Sequence, residues 1–359
     1  MNYNLSTIRE DCKNLFEREV PHLEKLRNRS VLITGANGLI GGFLSDFLCF
    51  LNDEHHYNID IQLTSLSQKE YAMRIKHLIS RHDVSYFSWD LAKEIPTDFL
   101  KPVDYVFFAS GYGQPKKFIT NRINTILINT IGLNSLLKLC SKANASLLYM
   151  SSSEIYGIPD INNIPTKESF NGNYAIESNR ACYISSKRLG EVLCLGYAQE
   201  NANFNVKIAR IALTYGPGVL FNDDRVLQDF IMKGYRQREI NLLDDGAAIR
   251  NYIYITDCVE AMLQLFFDGE ESIYNVGGDK EETTIFEIAK IVGSILDVPV
   301  MKGNKKTVIT ADAPNKVALD MTRYKEEFGP PKATVELRDG IKNVIRWYGM
   351  NEISEGAKS

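Results

Sequence analysis

The tightest constraint on this chain is a glycine-spaced turn set between an apolar strand and an apolar helix. Val31-Leu-Ile-Thr34 is a short run of β character. Gly35-Ala-Asn-Gly-Leu-Ile-Gly41 follows, and Phe43-Leu-Ser-Asp-Phe-Leu-Cys-Phe-Leu51 then shows helical periodicity. Glycines three apart permit a tight turn and the close approach of a pyrophosphate. The helix that starts there adds amide donors and the favourable end of its dipole. Such a pattern means little alone; the strand, turn and helix around it make it a dinucleotide site. Gly35, Asn37, Gly38, Leu39, Ile40 and Gly41 are the candidate cofactor contacts.

The same alternation continues along the chain. Further strands are expected at Ile59–Leu63, Val84–Phe87, Tyr105–Phe108, Ala145–Met150 and Val206–Ile211, with helices at 123–140 and 183–200 among those between them. Strands alternating with helices predict an α/β fold with a doubly wound parallel sheet. Before it, residues 1–28 form a helical extension, with Pro21 breaking or restarting the helix. The cofactor domain is expected to span 29–215. Beyond Gly216-Pro217 the character changes. Residues 216–359 are read mainly as a smaller, mixed α/β lobe over the substrate, its boundary interleaved with the first domain. Helices are expected there at Arg225–Tyr235, Thr284–Leu296 and Val335–Tyr348, a short strand at Ile253–Ile255, and loop between.

A net charge of −4 in 359 residues gives no reason to expect nucleic acid. The first fifteen residues are polar and mixed in charge, unlike a signal peptide, and no apolar run is read as reaching membrane-spanning length. The expectation is a soluble, cytoplasmic protein with no membrane partner. Six scattered cysteines without a Cys-x-x-Cys pair argue against a zinc site or a disulfide framework. All five histidines lie at or before His82, so no histidine accompanies the clusters described next, and no metal is expected.

Two later clusters carry chemistry. Ser151-Ser-Ser-Glu-Ile-Tyr-Gly157 follows an expected strand, and Tyr183 and Lys187 lie four apart on an expected helix, hence on one face. An ammonium beside a phenol stabilises the phenolate and draws its pKa towards neutrality. Glu154 stands just past a strand end, the rim where parallel sheets place their ligands, though it is also placed to cap a turn or pair with a lysine. Asp90, with Leu91 after it, follows the third strand, where its carboxylate reaches an adenine amino group or simply forms a turn. The second strand ends in Thr64-Ser-Leu-Ser-Gln-Lys69, without the acid that usually binds the adenine ribose. Ser65 is the candidate there, and the choice between NAD and NADP stays open.

In that order, the three clusters resemble the extended short-chain dehydrogenases/reductases of the nucleotide-sugar epimerase, dehydratase and decarboxylase group, from about Arg29 to Tyr348. The resemblance implies a Rossmann-type domain, bound NAD, a nucleotide-sugar substrate and a homodimer built through helices near 123–140 and 183–200. It implies Ser152 as a catalytic hydroxyl, Tyr183 as the base and Lys187 as its partner. It also implies a cofactor contact at Asn129 and substrate contacts at Ser153, Arg225 and Arg250. Asn171-Gly-Asn, Asn179-Arg-Ala-Cys-Tyr183 and Ser-Ser-Ser-Glu-Ile-Tyr-Gly resemble the UDP-glucuronate decarboxylases. That implies oxidation at the sugar C4, after which Glu154 would work at C5 or C6. Dehydration, 4-epimerisation and 4-keto reduction remain alternatives, with a non-catalytic nucleotide-sugar or NAD binding protein more remote. Leu213 stands where the family often has Asn, and Gly218 where the decarboxylases usually have Arg.

Overall fold

A computed structural model describes residues 3–95, 101–221, 223–278, 282–304 and 314–350. Seven parallel strands form its main sheet: β1 (Ser30–Thr34), β2 (Asp60–Ser65), β3 (Val84–Ser88), β4 (Tyr105–Phe108), β5 (Ser146–Ser152), β6 (Val206–Ile211) and β7 (Ile273–Val276). They lie in the order β7-β6-β5-β4-β1-β2-β3. The helices used below are α1 (Leu5–Glu17), α2 (Leu39–His55), α3 (Arg122–Ala143), α4 (Ala181–Glu200), α5 (Val226–Gln237), α6 (Ile255–Asp268), α7 (Ile285–Leu296) and α8 (Leu337–Trp347). The strand order reverses between β1 and β4. In sheets of this kind that reversal opens a crevice at the carboxyl ends of the strands, where ligands bind.

Both faces of the sheet are covered, so its strands are apolar on both sides. Alternation sends Leu32, Phe108, Leu147 and Tyr149 to one face, where Leu133, Leu136 and Leu137 of α3 and Cys194 of α4 close over them. Val31, Ile33, Phe107 and Leu148 point the other way, into a core with Phe43 and Phe47 of α2 and Val259 and Met262 of α6. Beyond β6 the chain adds α5, α7, α8 and short strands outside the main sheet. One of these, Ile249–Arg250, pairs with Thr283–Thr284 and Lys316–Val317.

The six strands expected for the sheet are all present, and the short strand expected at Ile253–Ile255 lies at Tyr252–Tyr254. The elements that fall in stretches read as loop include α6, β7 and the helix Thr322–Phe328. In α6, Cys258, Val259, Ala261, Met262, Leu263, Leu265 and Phe266 are all buried, while Asp257, Glu260, Gln264 and Asp268 recur three or four residues apart, so the helical period is present in the sequence and the loop reading is corrected. A second correction concerns α3. Its 22 residues are apolar and long enough, by length and composition, to cross a membrane, although no such run had been read there. Asn124, Thr125, Asn129 and Ser135 interrupt the run in sequence, yet Leu133, Leu136, Leu137 and Cys140 lay one side of this helix on the sheet.

α1 ends at Glu17, short of Pro21, and is anchored at its end by Arg18, whose guanidinium donates to Asp257 (2.8 Å), Glu260 (2.7 Å) and Thr256 (3.0 Å). Within α1, Asp11 is 3% exposed and its carboxylate accepts a hydrogen bond from the Tyr254 phenol at 2.6 Å. Burial pushes its pKa from 3.8 up to about 7, against the pull of that hydrogen bond. Because the folded value lies above the unfolded one, this carboxyl's contribution is full below pH 3.8 and is lost as pH rises through 7. Asp11→Asn, which keeps an acceptor but cannot ionise, is therefore expected to gain stability relative to the parent between pH 4 and pH 8, by about 2–4 kcal/mol. Urea denaturation at both pH values checks this; parallel pH dependences for the two proteins would refute it.

Candidate active site

The glycine turn is shaped for close approach. Gly35 has φ +68°, and a Cβ there would lie 2.6 Å from the Ala109 carbonyl oxygen at the end of β4. A Cβ on Gly41 would meet the Gly35 carbonyl at 2.6 Å. Gly38 caps α2 without a side chain, so the first amides of the helix, at Leu39, Ile40 and Gly41, have no side-chain acceptor. Bare amides, a dipole end and a turn without side chains fit a dinucleotide pyrophosphate.

Around the adenosine end, the candidates are braced by neighbouring groups. Ser65 is buried, its hydroxyl 2.8 Å from the Tyr86 phenol oxygen. Asn37 donates to the Ser67 hydroxyl (3.2 Å) and accepts from the Arg74 amide (2.9 Å), fastening the glycine turn to the segment after β2. Asp90 accepts from the Ala92 amide at 3.1 Å, the turn-forming arrangement that the sequence allowed. The Leu91 carbonyl presses on α3 where that helix widens into a π turn, Ile128–Gly132; a Cβ on Gly132 would sit 2.3 Å from it. Asn129 lies in that turn, wholly buried. Its amide donates to Thr125 (2.9 Å) and Ser186 (3.3 Å), and its oxygen accepts from Tyr149 (2.9 Å), so it ties α3 to α4 and β5.

Ser152 ends β5, and a short helical turn, Ser153–Tyr156, follows it. The Ser152 hydroxyl accepts the Glu154 amide at 3.2 Å and hydrogen-bonds the Tyr183 phenol. Tyr183 is 7% exposed, near the start of α4, with Phe118 stacked on it at 4.7 Å between ring centroids. One turn on, the buried Lys187 ammonium donates to the Met150 carbonyl at 2.7 Å and sits 4.7 Å from the centre of the Tyr149 ring. The structure thus brings Ser152, Tyr183 and Lys187 together.

The electrostatics differ from the sequence expectation. Burial drives the Tyr183 phenol up to about 12. The Ser152 hydrogen bond pulls it down, and the charge of Glu154 pushes it further up. Lys187 is drawn down to about 7 by burial, opposed by the nearby Glu191 carboxylate. The expected pull of the ammonium on the phenol is therefore outweighed here, because both groups are dry and the ammonium is spent on the Met150 carbonyl.

A cleft of about 860 Å³ opens beside this group, lined among others by Ser153, Glu154, Arg180, Arg225, Arg250 and Tyr252. Glu154 is neither a turn cap nor a surface lysine's partner: its carboxylate accepts from the Arg180 guanidinium at 2.6 Å. Burial lowers the Arg250 pKa; the charges of Glu154, which opposes this, and of Arg180, which adds to it, also reach the guanidinium. Arg225 forks onto Asp223 with two bonds of 2.9 Å. Arg180 was missed in sequence, though its place three residues before Tyr183, one turn back on the same face, was a readable signal. Phe118 comes from a short helix after β4, and no spacing rule links it to Tyr183.

Comparison with known proteins agrees with this geometry. Residues 31–277 match the model of the NAD dependent epimerase/dehydratase family. UDP-glucuronic acid decarboxylase 1 of Arabidopsis thaliana is 30% identical over 316 residues, which is 88% of this chain and 68% of that protein. The protein of the same name from Xenopus tropicalis is 26% identical over 96% of this chain and 79% of its own length. Among solved structures, an epimerase from Methanothermobacter thermautotrophicus superposes with a TM-score of 0.75 at 18% identity, covering 97% of this chain and 96% of its own. A dTDP-glucose 4,6-dehydratase from Streptomyces venezuelae with NAD bound gives 0.73 at 20% identity, covering 89% and 97%. With the family model covering most of its length and a relative at 30% identity across most of both chains, the protein belongs to the NAD dependent epimerase/dehydratase family.

Proposed function

We propose that this protein oxidises C4 of a UDP-linked uronic acid and decarboxylates it. The observation that carries this reading is the pair of guanidinium groups at Glu154. Glu154 is held by Arg180, and its charge and that of Arg180 reach Arg250. Aspartates elsewhere on the lining balance the cleft's other cations, so it is this local pair, near Ser152 and Tyr183, that would receive a carboxylate on the substrate. The resemblance to UDP-glucuronic acid decarboxylases supports the same choice.

In this reading Tyr183 takes the proton of the C4 hydroxyl, with Ser152 donating to the oxygen as its charge changes. NAD⁺ would supply the hydride acceptor and the means of returning the hydride. The bare amides after Gly38 would hold its pyrophosphate, and Lys187 would serve the phenol and the nicotinamide ribose. Once C4 is a ketone, the C5 carboxylate is that of a β-keto acid, so CO₂ leaves and C5 takes up a proton. Arg180 keeps Glu154 fixed beside that carbon, and Arg250 with Ser153 orients the sugar. Arg225 faces the diphosphate. A location in the cytoplasm accords with six unpaired cysteines.

Incubation with UDP-glucuronate, without added cofactor, is expected to release CO₂ and one UDP-pentose per substrate consumed. UDP-glucose as the only substrate turned over would instead favour dehydration or epimerisation. Glu154→Gln should still reduce the bound cofactor, seen at 340 nm, yet stall at or release a 4-keto sugar; normal product at the normal rate would remove Glu154 from the chemistry. Tyr183→Phe keeps the ring against Phe118 and is expected to melt near the parent while losing about 10²–10⁴ in turnover. Parental turnover would overturn the site.

We also infer a homodimer formed through α3 and α4. Ile123 and Ile131 on α3 and Leu189 and Val192 on α4 are exposed, Ile123 and Val192 by more than 60%. These two helices lie side by side with their apolar outer residues unpaired by this chain's own core. Light scattering at micromolar concentration is expected to give twice the 40.7 kDa of one chain; a monomer throughout would refute it.

A further inference from the structure

The helix that carries Tyr183 and Lys187 places a third ionisable side chain on the same face, one turn further: Glu191. All three are nearly inaccessible, at 7%, 4% and 5% exposure. Glu191 is held by three donors. The Ser151 hydroxyl, next to Ser152, gives 2.6 Å, and Arg210 of β6 gives 3.1 Å to one oxygen and 2.8 Å to the other. Arg210 in turn donates to the Tyr156 phenol (2.9 Å) and the Glu168 carbonyl (2.7 Å). Tyr156 donates to Asn275 of β7 at 2.7 Å. The carboxylate therefore sits in a continuous buried network running from β5 across β6 to β7.

We propose that Glu191, held by Arg210 and Ser151, is a positioning residue that keeps Lys187 in its ammonium form. The proposal rests on the assignment of Tyr183 and Lys187 as the reacting pair. Among the described residues, β5 presents to Lys187 the Met150 carbonyl and the Tyr149 ring, and the loop after β4 passes close at Gly111, where an added Cβ would lie 3.9 Å from the Lys187 Nζ. Its own helix adds Tyr183, Glu191 and Cys194. Cys194 is buried with its thiol pushed well up, so it brings no charge near neutrality. Glu191 is bonded to Ser151 and Arg210, and its charge reaches Lys187 one turn back on α4. Of all these, Glu191 is the only anion that offsets the burial of the ammonium.

Charge counting extends the argument. With Lys187 and Arg210 cationic and Glu191 anionic, the buried set carries one surplus positive charge while Tyr183 is a neutral phenol. It balances when Tyr183 becomes the phenolate. Glu191 thus preserves the ammonium, and the surplus cation favours the state of Tyr183 that accepts a proton.

The test is a direct titration of Lys187 in protein labelled with ¹³Cε-lysine, the resonance being identified by its loss in Lys187→Arg. Glu191→Gln leaves two cations and should move the Lys187 midpoint down by about two pH units, the scale of a unit charge felt across one helical turn at an effective dielectric near 20. Arg210→Met leaves the carboxylate unshared and should move the midpoint up by a similar amount. Glu191→Gln/Arg210→Met, neutral at both positions, should fall between them. Thermal melting shows which variants are folded, and any two of the three give the ordering. Shifts in one direction for both single variants, or none, would overturn the proposal, since general loosening of the core cannot move the two oppositely. The titration needs neither substrate nor turnover, so failure of the Tyr183 assignment would show separately, in Tyr183→Phe.

Discussion

Everything at the cofactor end depends on how closely two pieces of backbone approach at the sheet's reversal point. The turn after β1 and the end of β4 pass so near each other that a single methyl group at Gly35 would strike the Ala109 carbonyl at 2.6 Å. That approach lets α2 start directly above the crevice with its amides bare. It also sets the end of β4 beside the turn, with Ser152 at the end of β5 one strand further on, so that Ser152 and the face of α4 border the crevice where a dinucleotide would lie. A bulkier turn would push α2 outward and separate the pyrophosphate from the reacting groups.

The second organising fact is dryness. Tyr183 and Lys187 are both held out of water, and burial moves the two in opposite directions: the phenol towards about 12 and the ammonium towards about 7. Left to burial alone, both would be neutral over much of the neutral range, an unreactive pair. Around the phenol, the Ser152 hydrogen bond pulls down and the charge of Glu154 pushes up, while Glu191 opposes the burial of Lys187. A spacing of four residues puts the two side chains together; the neighbours on β5 and β6 decide what they do.

Most of the sheet and the pair at its rim were legible in the sequence, because a glycine turn between apolar segments and a Tyr-x-x-x-Lys spacing are local patterns with local consequences. Most of what escaped was non-local. α6 is the exception, its period legible in Asp257, Glu260, Gln264 and Asp268, whereas β7 is four residues long and finds its place only against β6. Glu154 could be located but its partner could not be named, since Arg180 reaches it from another element. Asn129, expected at the cofactor, spends its hydrogen bonds joining α3, α4 and β5. Spacing rules report which side chains share a face, and they are silent on which face of another element lies opposite.

The position of β7 has a consequence for how the molecule can be divided. After β6 the chain leaves the sheet, builds α5 and α6, and returns to pair Ile273–Val276 with Ile208–Ile211 before going on to α7 and α8. The segment beyond β6 is therefore stitched into the sheet rather than hung from its end. A fragment stopping near Gly216 would expose the whole hydrogen-bonding edge of β6, along with the apolar surface normally under α6. Such an open edge recruits other chains. Cutting this protein at the apparent seam between its two halves should yield an aggregating piece, not a smaller cofactor-binding domain.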